Sequence, residues 1–547
     1  MFVKKIVSLL AAAVMITGVG GTTWYQTRPI EAHAVTETAQ QADHSELLTM
    51  CRGNYAYNDL GKKSNGKAMQ QFYDKLFEAY SKVWTDGVNY EEYPDNPGLY
   101  VVEKVNYKSL GLTADQATAC YYALRSDNPV MYYLINYYAT SNKNYFCIIN
   151  KEYINASVRE TIQQQIYDYV ISMTSATEGY TRRYERALIL HDKMLPLVTY
   201  NYDDMSAVYS HNIVGTVVNK TGVCESYAKA YQMLLNYVGI DNLLVIGTEK
   251  ESGGGHAWNA VKMDDGTYYF TDPTWDDKRN THRYFAKGYT VFNEGHTVKS
   301  PVETGAYYYY SMPSGIPTTD YNCQSNSPTL YNQMQDYSFY INKDNTITIV
   351  SYLGSAQKVN IPSEILGFPV TGIGADAFFN CTKITELILP DTLKTIERGA
   401  FFHALTKATS ITIPKSVTTV DDYSIGWKVT SSGGSYSYDG DYSVFKPGKI
   451  STLTICCYKN SAAHKYAVKN GFSYTLLEEP AAMLGDVNND KEINIKDVAL
   501  LKQYLAKWNV DIDKDAADAN GDGEINIKDL ALLKQYIAKW NVKLGAA

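Results

Sequence analysis

Three residues near the middle of the chain have the types that thiol acyl transfer needs. Cys224 stands in TGVCESYAKAYQMLLNYVGI, residues 221–240, at the first turn of what reads as an amphipathic helix. His256 follows in GGGHAWN and Asp272 in YYFTDPTWDD. A cysteine at a helix N-terminus has its thiolate stabilised by the helix dipole and by unpaired N–H groups. The same N–H groups suit a developing oxyanion. An imidazole beside a carboxylate is held in one tautomer and stays basic enough to take a thiol proton. Taken singly, each residue has a plainer reading: a core thiol, a strand histidine, a turn-forming aspartate before Pro273. Taken together they reverse that reading.

The elements around them can make the meeting happen. HAWNAVKM and TYYFTD flank Asp264-Asp265-Gly266, a hairpin turn signal. The hairpin puts His256 and Asp272 opposite or diagonal on one face. NLLVIGTEK reads as a further strand and RRYERALILHDKML as a helix. Gly253-Gly254-Gly255 reads equally as room for a substrate backbone or as a flexible loop. Residues 35–180 read as helix-rich, with KAMQQFYDKLFEAYSKVW and VRETIQQQIYDYVISM spaced as helices and VMYYLINYY as a strand after Asp127-Asn128-Pro129.

A second chemistry sits near the C-terminus. DVNNDKEINIKD (486–497) and DANGDGEINIKD (518–529) are each followed by a near-copy, VALLKQYLAKWNV and LALLKQYIAKWNV. Asp486, Asn488, Asp490, Asn494 and Asp497 hold positions 1, 3, 5, 9 and 12 of the first loop, with the carbonyl of Glu492 at position 7. Asp518, Asn520, Asp522, Asn526, Asp529 and Glu524 repeat them in the second. Alternate oxygen donors closed by a carboxylate make a calcium cage, so two Ca2+ ions are expected. Position 6 is Gly523 in the second loop but Lys491 in the first, which predicts a more strained or weaker first site.

Between these regions lies an internal repeat. Pro362, Pro390 and Pro414 recur in similar settings, and Ala377-Phe378 recurs as Ala400-Phe401. A period in the twenties with one short strand per turn predicts a solenoid, whose broad face is a binding surface or a spacer. TSSGGSYSYDGDYS interrupts the repeat as a surface loop. Eight scattered cysteines without a C-x-x-C pair exclude a disulfide framework and make zinc sites unexpected. A net charge of −8 argues against nucleic-acid binding. MFVKK, the apolar run Ile6–Val19 and Ala32-His33-Ala34 form the parts of a signal peptide over residues 1–34. With about 14 residues against the roughly 20 of a bilayer span, export with cleavage is expected, leaving a secreted protein without a membrane span.

The blocks GVCESYAKAYQMLLNYVGI, GGGHAWNAV and YYFTDPTWDD resemble the transglutaminase-like superfamily, whose papain-like core has the order Cys, His, Asp. That resemblance makes Cys224 the nucleophile, His256 the base and then acid, and Asp272 the orienting carboxylate, with no catalytic cofactor. Tyr209 is a candidate second oxyanion donor. The repeats resemble BspA-like leucine-rich repeats, and the duplicated loop-helix unit is similar to a dockerin, which implies a scaffoldin cohesin as partner. Positions 10 and 11 of its loops, Ile495-Lys496 and Ile527-Lys528, leave the cohesin class open.

The expected fold is therefore multidomain α+β: a papain-like transglutaminase core, a leucine-rich-repeat solenoid and a small all-α calcium-binding dockerin. The expected divisions are a helix-rich subdomain at 35–180, the core at 181–310, a linker at 311–340, the repeats at 341–478 and the dockerin at 479–547. The expected function is a secreted, cellulosome-associated cysteine enzyme. It acts on peptide or amide bonds through a thioester within a polysaccharide-degrading complex, and the repeats offer a face to a surface ligand. The alternatives are a protein-crosslinking transglutaminase and a non-catalytic adhesion or scaffold component.

Overall fold

The computed structural model describes residues 44–85, 87–277, 282–298, 312–313, 315–430, 446–478 and 483–545. The expected signal peptide lies outside these residues, as does the repeat-interrupting insert from Ser431 onward.

At the centre is a four-stranded antiparallel sheet in the order His296–Val298, Asn242–Glu249, Gly255–Lys262, Tyr268–Thr271. The last two strands are the expected hairpin, with Ala260 opposite Phe270 and Lys262 opposite Tyr268. Helix Cys224–Tyr237 lies against this sheet, and Asn259 Nδ2 donates to the Ala228 carbonyl at 3.0 Å to fix the approach. The helix is apolar nearly all round: Tyr227, Ala230, Tyr231, Met233, Leu234 and Leu235 are all fully buried. Each large side chain among them stabilises the packing by about 1.5–3 kcal/mol. Helix Arg183–Met194 covers its other flank, where the Tyr231 hydroxyl donates to the Ala187 carbonyl at 2.9 Å.

The leading region packs onto the same helix. Helices Gly66–Trp84 and Ala114–Asp127 back a sheet in which Leu99–Asn106 and Asn144–Asn150 are the long central strands. Gln232 Nε2 donates to the Ser126 carbonyl at 2.9 Å, and Asn236 Nδ2 to the Cys51 carbonyl at 2.9 Å. VMYYLINYY, expected as a strand, instead forms successive turns, with Met131 N–H bonded to the Asn128 carbonyl and Leu134 N–H to the Met131 carbonyl. Val130, Met131, Tyr132 and Tyr133 are buried there. An apolar run marks burial and does not by itself select a strand.

Much of the stretch expected as a linker is packed structure. Helix Pro328–Asp336 runs into strand Tyr337–Ile341, which pairs antiparallel with Ile347–Tyr352. Tyr321 stacks on Tyr184 with centroids 5.1 Å apart, and its N–H bonds the Ala286 carbonyl. Its Ser, Pro and Asn content marks turns, but its few aromatic and apolar residues face the core.

From there the repeats wind in parallel. Ile347–Tyr352, Phe368–Ile373, Thr395–Ile396 and Thr419–Val420 stack side by side, bringing Ile373, Ile396 and Val420 into one row. Phe378 stacks over Phe401 and Phe379 over Phe402, at 5.1 and 5.9 Å. The buried cluster runs without a break from the leading helices through the sheet into these repeats. The C-terminal unit has its own small core of Val487, Val498, Leu501, Ala517, Leu530 and Leu533.

This division of the core sets an expectation for truncation. Ending the chain at residue 478 should leave the melting temperature of the remainder unchanged, because only exposed contacts such as Lys491–Asp391 are lost. Ending it at residue 336 should cause unfolding or aggregation, because the apolar cover over the core is removed. Equal melting temperatures for both truncations, measured by calorimetry, would refute the shared core.

Candidate functional site

Cys224 is the first residue of its helix, and the segment before it is held from several sides. Thr221–Gly222 pairs in parallel with Thr199–Tyr200, with Tyr200 opposite Gly222. A Cβ on Gly222 would come within 2.7 Å of Ser226, so the turn into the helix admits only glycine without a shift. Ser226 Oγ donates to the Asn212 carbonyl at 2.6 Å and accepts the Thr216 N–H at 3.0 Å. The next side chain, Glu225, meets Arg125 at 2.6 Å, Lys229 at 2.8 Å and His211 at 3.2 Å. Burial works against its charge, yet Lys229 and Arg125 hold its carboxyl well below the usual range. The helix start is thus pinned while Cys224 itself stays half-exposed against Ala228, Leu244 and Ala257.

Other thiols are different. Burial pushes Cys51, Cys120 and Cys147 far above the normal thiol range, which silences them as nucleophiles.

The hairpin brings His256 and Asp272 together on one face. His256 Nε2 donates to Asp272 Oδ2 at 2.7 Å, and both residues are buried. Burial alone would lower the imidazole, but the Asp272 charge and hydrogen bond, with the neighbouring Cys224 side chain, push it up to about 10. Asp272 moves the other way: burial opposes its charge, and His256 and His296 hold it below the usual carboxylate range. Its Oδ1 accepts the N–H groups of Thr274 and Trp275 at 3.0 and 3.2 Å.

Two residues of the site escape a sequence reading. His296 Nε2 bonds the same Asp272 Oδ2 at 2.9 Å, and its ring is sandwiched by Phe292 at 3.9 Å and Trp275 at 4.0 Å. Its signal was the lone histidine of EGHTV, which pattern alone places on no particular strand. Tyr200 lies beside Cys224; burial and the nearby Cys224 push its phenol up to about 12. Tyr209, the expected oxyanion candidate, has its hydroxyl 3.4 Å from Asn201 Nδ2. Gly253–Gly255 closes a tight turn, with Gly253 in the left-handed region and its N–H bonded to the Glu249 carbonyl.

In the C-terminal unit both loops curl around converging oxygens in the same pattern. Asp486 accepts the N–H groups of Asp490 and Lys491, and Asp518 those of Asp522 and Gly523. Asp497 and Asp529 also cap the following helices, accepting from the N–H groups of Asn494 and Asn526 at 2.8 Å. Both carboxylates are 0% exposed and, among the described residues, pair with no cationic side chain. A buried carboxylate in an all-oxygen donor set fits a calcium ion. Asp486, Asn488, Asp490, Asn494 and Asp497 would hold one ion, with the Glu492 carbonyl; Asp518, Asn520, Asp522, Asn526 and Asp529, with that of Glu524, would hold the other.

With this geometry in place, comparisons with known proteins divide the chain the same way. Residues 171–273 match the transglutaminase-like superfamily, 351–431 match the BspA-type leucine-rich repeat region in 6 copies, and 484–538 match the dockerin type I domain. The chain thus combines a transglutaminase-like core, BspA-type repeats and a type I dockerin in one mixed helix and strand molecule. No curated protein matches it significantly. Among solved structures it is similar to a candidate cysteine protease from Cytophaga hutchinsonii, at 16% identity and TM-score 0.18 over 20% of this chain and 37% of that one. It is also similar to a TGase, at 15% identity and TM-score 0.19 over 26% of this chain and 44% of that one. A T. pallidum leucine-rich repeat protein aligns at 17% identity and TM-score 0.15, over 22% of this chain and 69% of that one. The chain spans less than half of the first two, and overlaps this slight carry no argument. Type I dockerins generally bind calcium and are typical of extracellular cellulosome components. Among the described residues no helix is long and apolar enough to cross a membrane.

Two expectations follow. A raised His256 adds stability that is complete below the unfolded imidazole pKa of about 6.5 and lost as pH rises through about 10. A depressed Asp272 adds stability present above about pH 4 and lost on acidification. The stability gap between the native chain and His256→Gln should therefore be widest near pH 5–6 and narrow by at least about 1.4 kcal/mol by pH 10. Denaturant melts across pH check this, and a flat gap would refute the pairing. In the first calcium loop, Lys491 adopts φ +69, where the second has Gly523 at φ +85. A side chain there costs about 1–2 kcal/mol, so Lys491→Gly should tighten calcium binding several-fold in a calorimetric titration. An unchanged affinity would remove strain as the difference between the loops.

Proposed function

We propose that the protein is a secreted thiol acyl-transfer enzyme that cleaves or exchanges peptide or amide bonds. It is carried into a cellulosome-type complex by docking its calcium-loaded dockerin onto a scaffoldin cohesin. Its functional divisions are those of the sequence, except that much of the expected linker is absorbed into the body of the enzyme. The observation that carries the reading is the placement of Cys224 at a pinned helix start beside His256, whose Nε2 is bonded to the buried Asp272.

In this reading Cys224 Sγ, its proton passed to His256, attacks the acyl carbon of the substrate. The carbonyl electron pair moves onto oxygen, where the Cys224 N–H at the helix start and the Tyr200 hydroxyl receive it. Collapse expels the amine, which takes the proton from His256, and leaves a thioester on Cys224. Water, deprotonated by His256, then attacks the thioester and releases a carboxylic acid and the thiol. An amine in place of water gives a new amide by the same steps. Asp272 stays ionised throughout and holds the imidazole in orientation.

The dockerin and the thiol site together favour peptide or wall-protein substrates at plant fibre, with the repeats presenting a face to that surface. The test is incubation of the calcium-loaded protein with glutamine-containing peptides, with and without a primary amine, followed by mass spectrometry. Release or incorporation that falls at least about 100-fold in Cys224→Ala and in His256→Ala supports the enzyme. Thiol alkylation at Cys224 that is indifferent to His256→Ala, with no turnover of any peptide, would leave a non-catalytic module.

A further inference from the structure

A second set of imidazoles and carboxylates lies behind the Asp272 segment. His191 and Asp192 sit in the last turn of helix Arg183–Met194, Asp276 in the short helix Pro273–Asp277, and His282 just beyond it. Asp192 Oδ1 is 2.8 Å from His191 Nδ1, and His282 Nε2 is 2.9 Å from both Asp192 oxygens. One donor atom from each of His191, Asp192 and His282 lies within 4.8 Å of the others. The side chains of His191, Asp192 and Asp276 are at most 1% exposed, and that of His282 is 10% exposed.

The composition matches that of His256, Asp272 and His296, but the two sets differ in one respect. Among the described residues, none of the polar atoms of the Asp272 set is buried without a partner. In this cluster His191 Nε2 and Asp276 Oδ2 are, and they face each other at 3.4 Å without a hydrogen bond. Buried polar atoms left unpaired cost about 1–3 kcal/mol each, so the cluster has room for a component that would reorganise it. Charge points the same way: two buried carboxylates beside neutral imidazoles are balanced by one divalent cation.

We propose that this cluster is a zinc site, with His191 Nδ1, the Asp192 carboxylate and His282 Nε2 as ligands and Asp276 orienting His191 from behind. Two imidazoles and a carboxylate suit zinc at about 2.0–2.2 Å, and small rotations of these side chains close that distance. With Nδ1 on the metal, His191 carries its proton on Nε2, aimed at Asp276 Oδ2, which supplies the partner both atoms lack. Asp276 Oδ1 already accepts the Tyr284 N–H at 2.9 Å, so the carboxylate is fixed for that role. The solvent-facing side at His282 gives the ion its entry and leaves a fourth position to water. The ion ties helix Arg183–Met194 to the helix that begins immediately after Asp272. Without metal a proton on His191 takes the cation's place: burial opposes it, but Asp192 and Asp276 push the ring up to about 9.

The test uses the full chain with calcium present, in a Cys224→Ser background that removes the reactive thiol. Zinc is added, excess is dialysed away, and bound metal is counted by plasma mass spectrometry. About one zinc per chain should remain, with a zinc-dependent rise in melting temperature. Asp276→Asn should weaken binding by about 10- to 100-fold. His282→Ala, at the most exposed position, should abolish the melting shift. Zinc absent from the Cys224→Ser protein, with no melting shift, overturns the proposal. So does zinc retained equally by His282→Ala, since the ion would then sit elsewhere. Should a variant fail to fold, the zinc-dependent shift of the Cys224→Ser protein, together with cobalt visible absorption showing nitrogen and oxygen ligands, decides.

Discussion

The buried carboxylate of Asp272 is the interaction on which the rest of the site depends. It accepts four N–H groups: His256 and His296 on one oxygen, and the backbone of Thr274 and Trp275 on the other. A charge taken out of water is tolerated only when its lone pairs are met in this way. Each donor arrives from a different piece of structure. His256 comes from a central strand, His296 from the strand at the sheet edge, and the two backbone groups from the turn that ends the hairpin. The sheet order and the hairpin register are both needed to assemble them. Solving the burial of one carboxylate therefore also orients the imidazole that faces Cys224.

That dependence explains which parts were legible in the sequence. His256 and Asp272 are linked by a two-strand turn with a strong signal at Asp264-Asp265-Gly266, and a local hairpin settles their relation. The diagonal placement follows from the pleat alone. His296 was illegible because its strand pairs with Asn242–Glu249 across an intervening helix, and long-range pairing leaves no local pattern. Tyr200 was illegible for the same reason: a two-residue parallel bridge to Thr221–Gly222 brings it to Cys224 from 24 positions upstream. The calcium loops lie at the other extreme. Their ligands alternate within one turn of chain, so sequence order and spatial order coincide.

The repeats and the dockerin show a similar contrast at the scale of modules. The repeat period is visible because Phe378 must stack on Phe401 and Ile373 on Ile396, which forces like residues to like spacing. The junction with the core has no period and was misread as a linker. Lys193 reaches Asn345, Tyr184 reaches Met334 at 3.2 Å, and His282 packs on Phe339 at 5.1 Å. A composition of Ser, Pro and Asn reports the turns in such a segment, while its few aromatic anchors decide that it is fixed. The dockerin has no such anchors on the rest of the chain, and its small core leaves it to metal and partner for order.

Within the site, the parts differ in how rigidly they are joined. His256 and Asp272 belong to one hairpin, and their separation can change only if the sheet changes. Cys224 belongs to a helix that meets the sheet through side chains, so the thiol-to-imidazole separation is the adjustable quantity. The chain restrains it from the helix side: Ser226 bonds the Asn212 carbonyl, Arg125 reaches Glu225 from the leading region, and the strand bridge holds Gly222. The leading region is therefore part of the machinery that places the nucleophile, even though none of its residues faces Asp272. A loss at Arg125 would leave Lys229 and His211 on Glu225 and loosen the helix start, with the His256–Asp272 bond untouched.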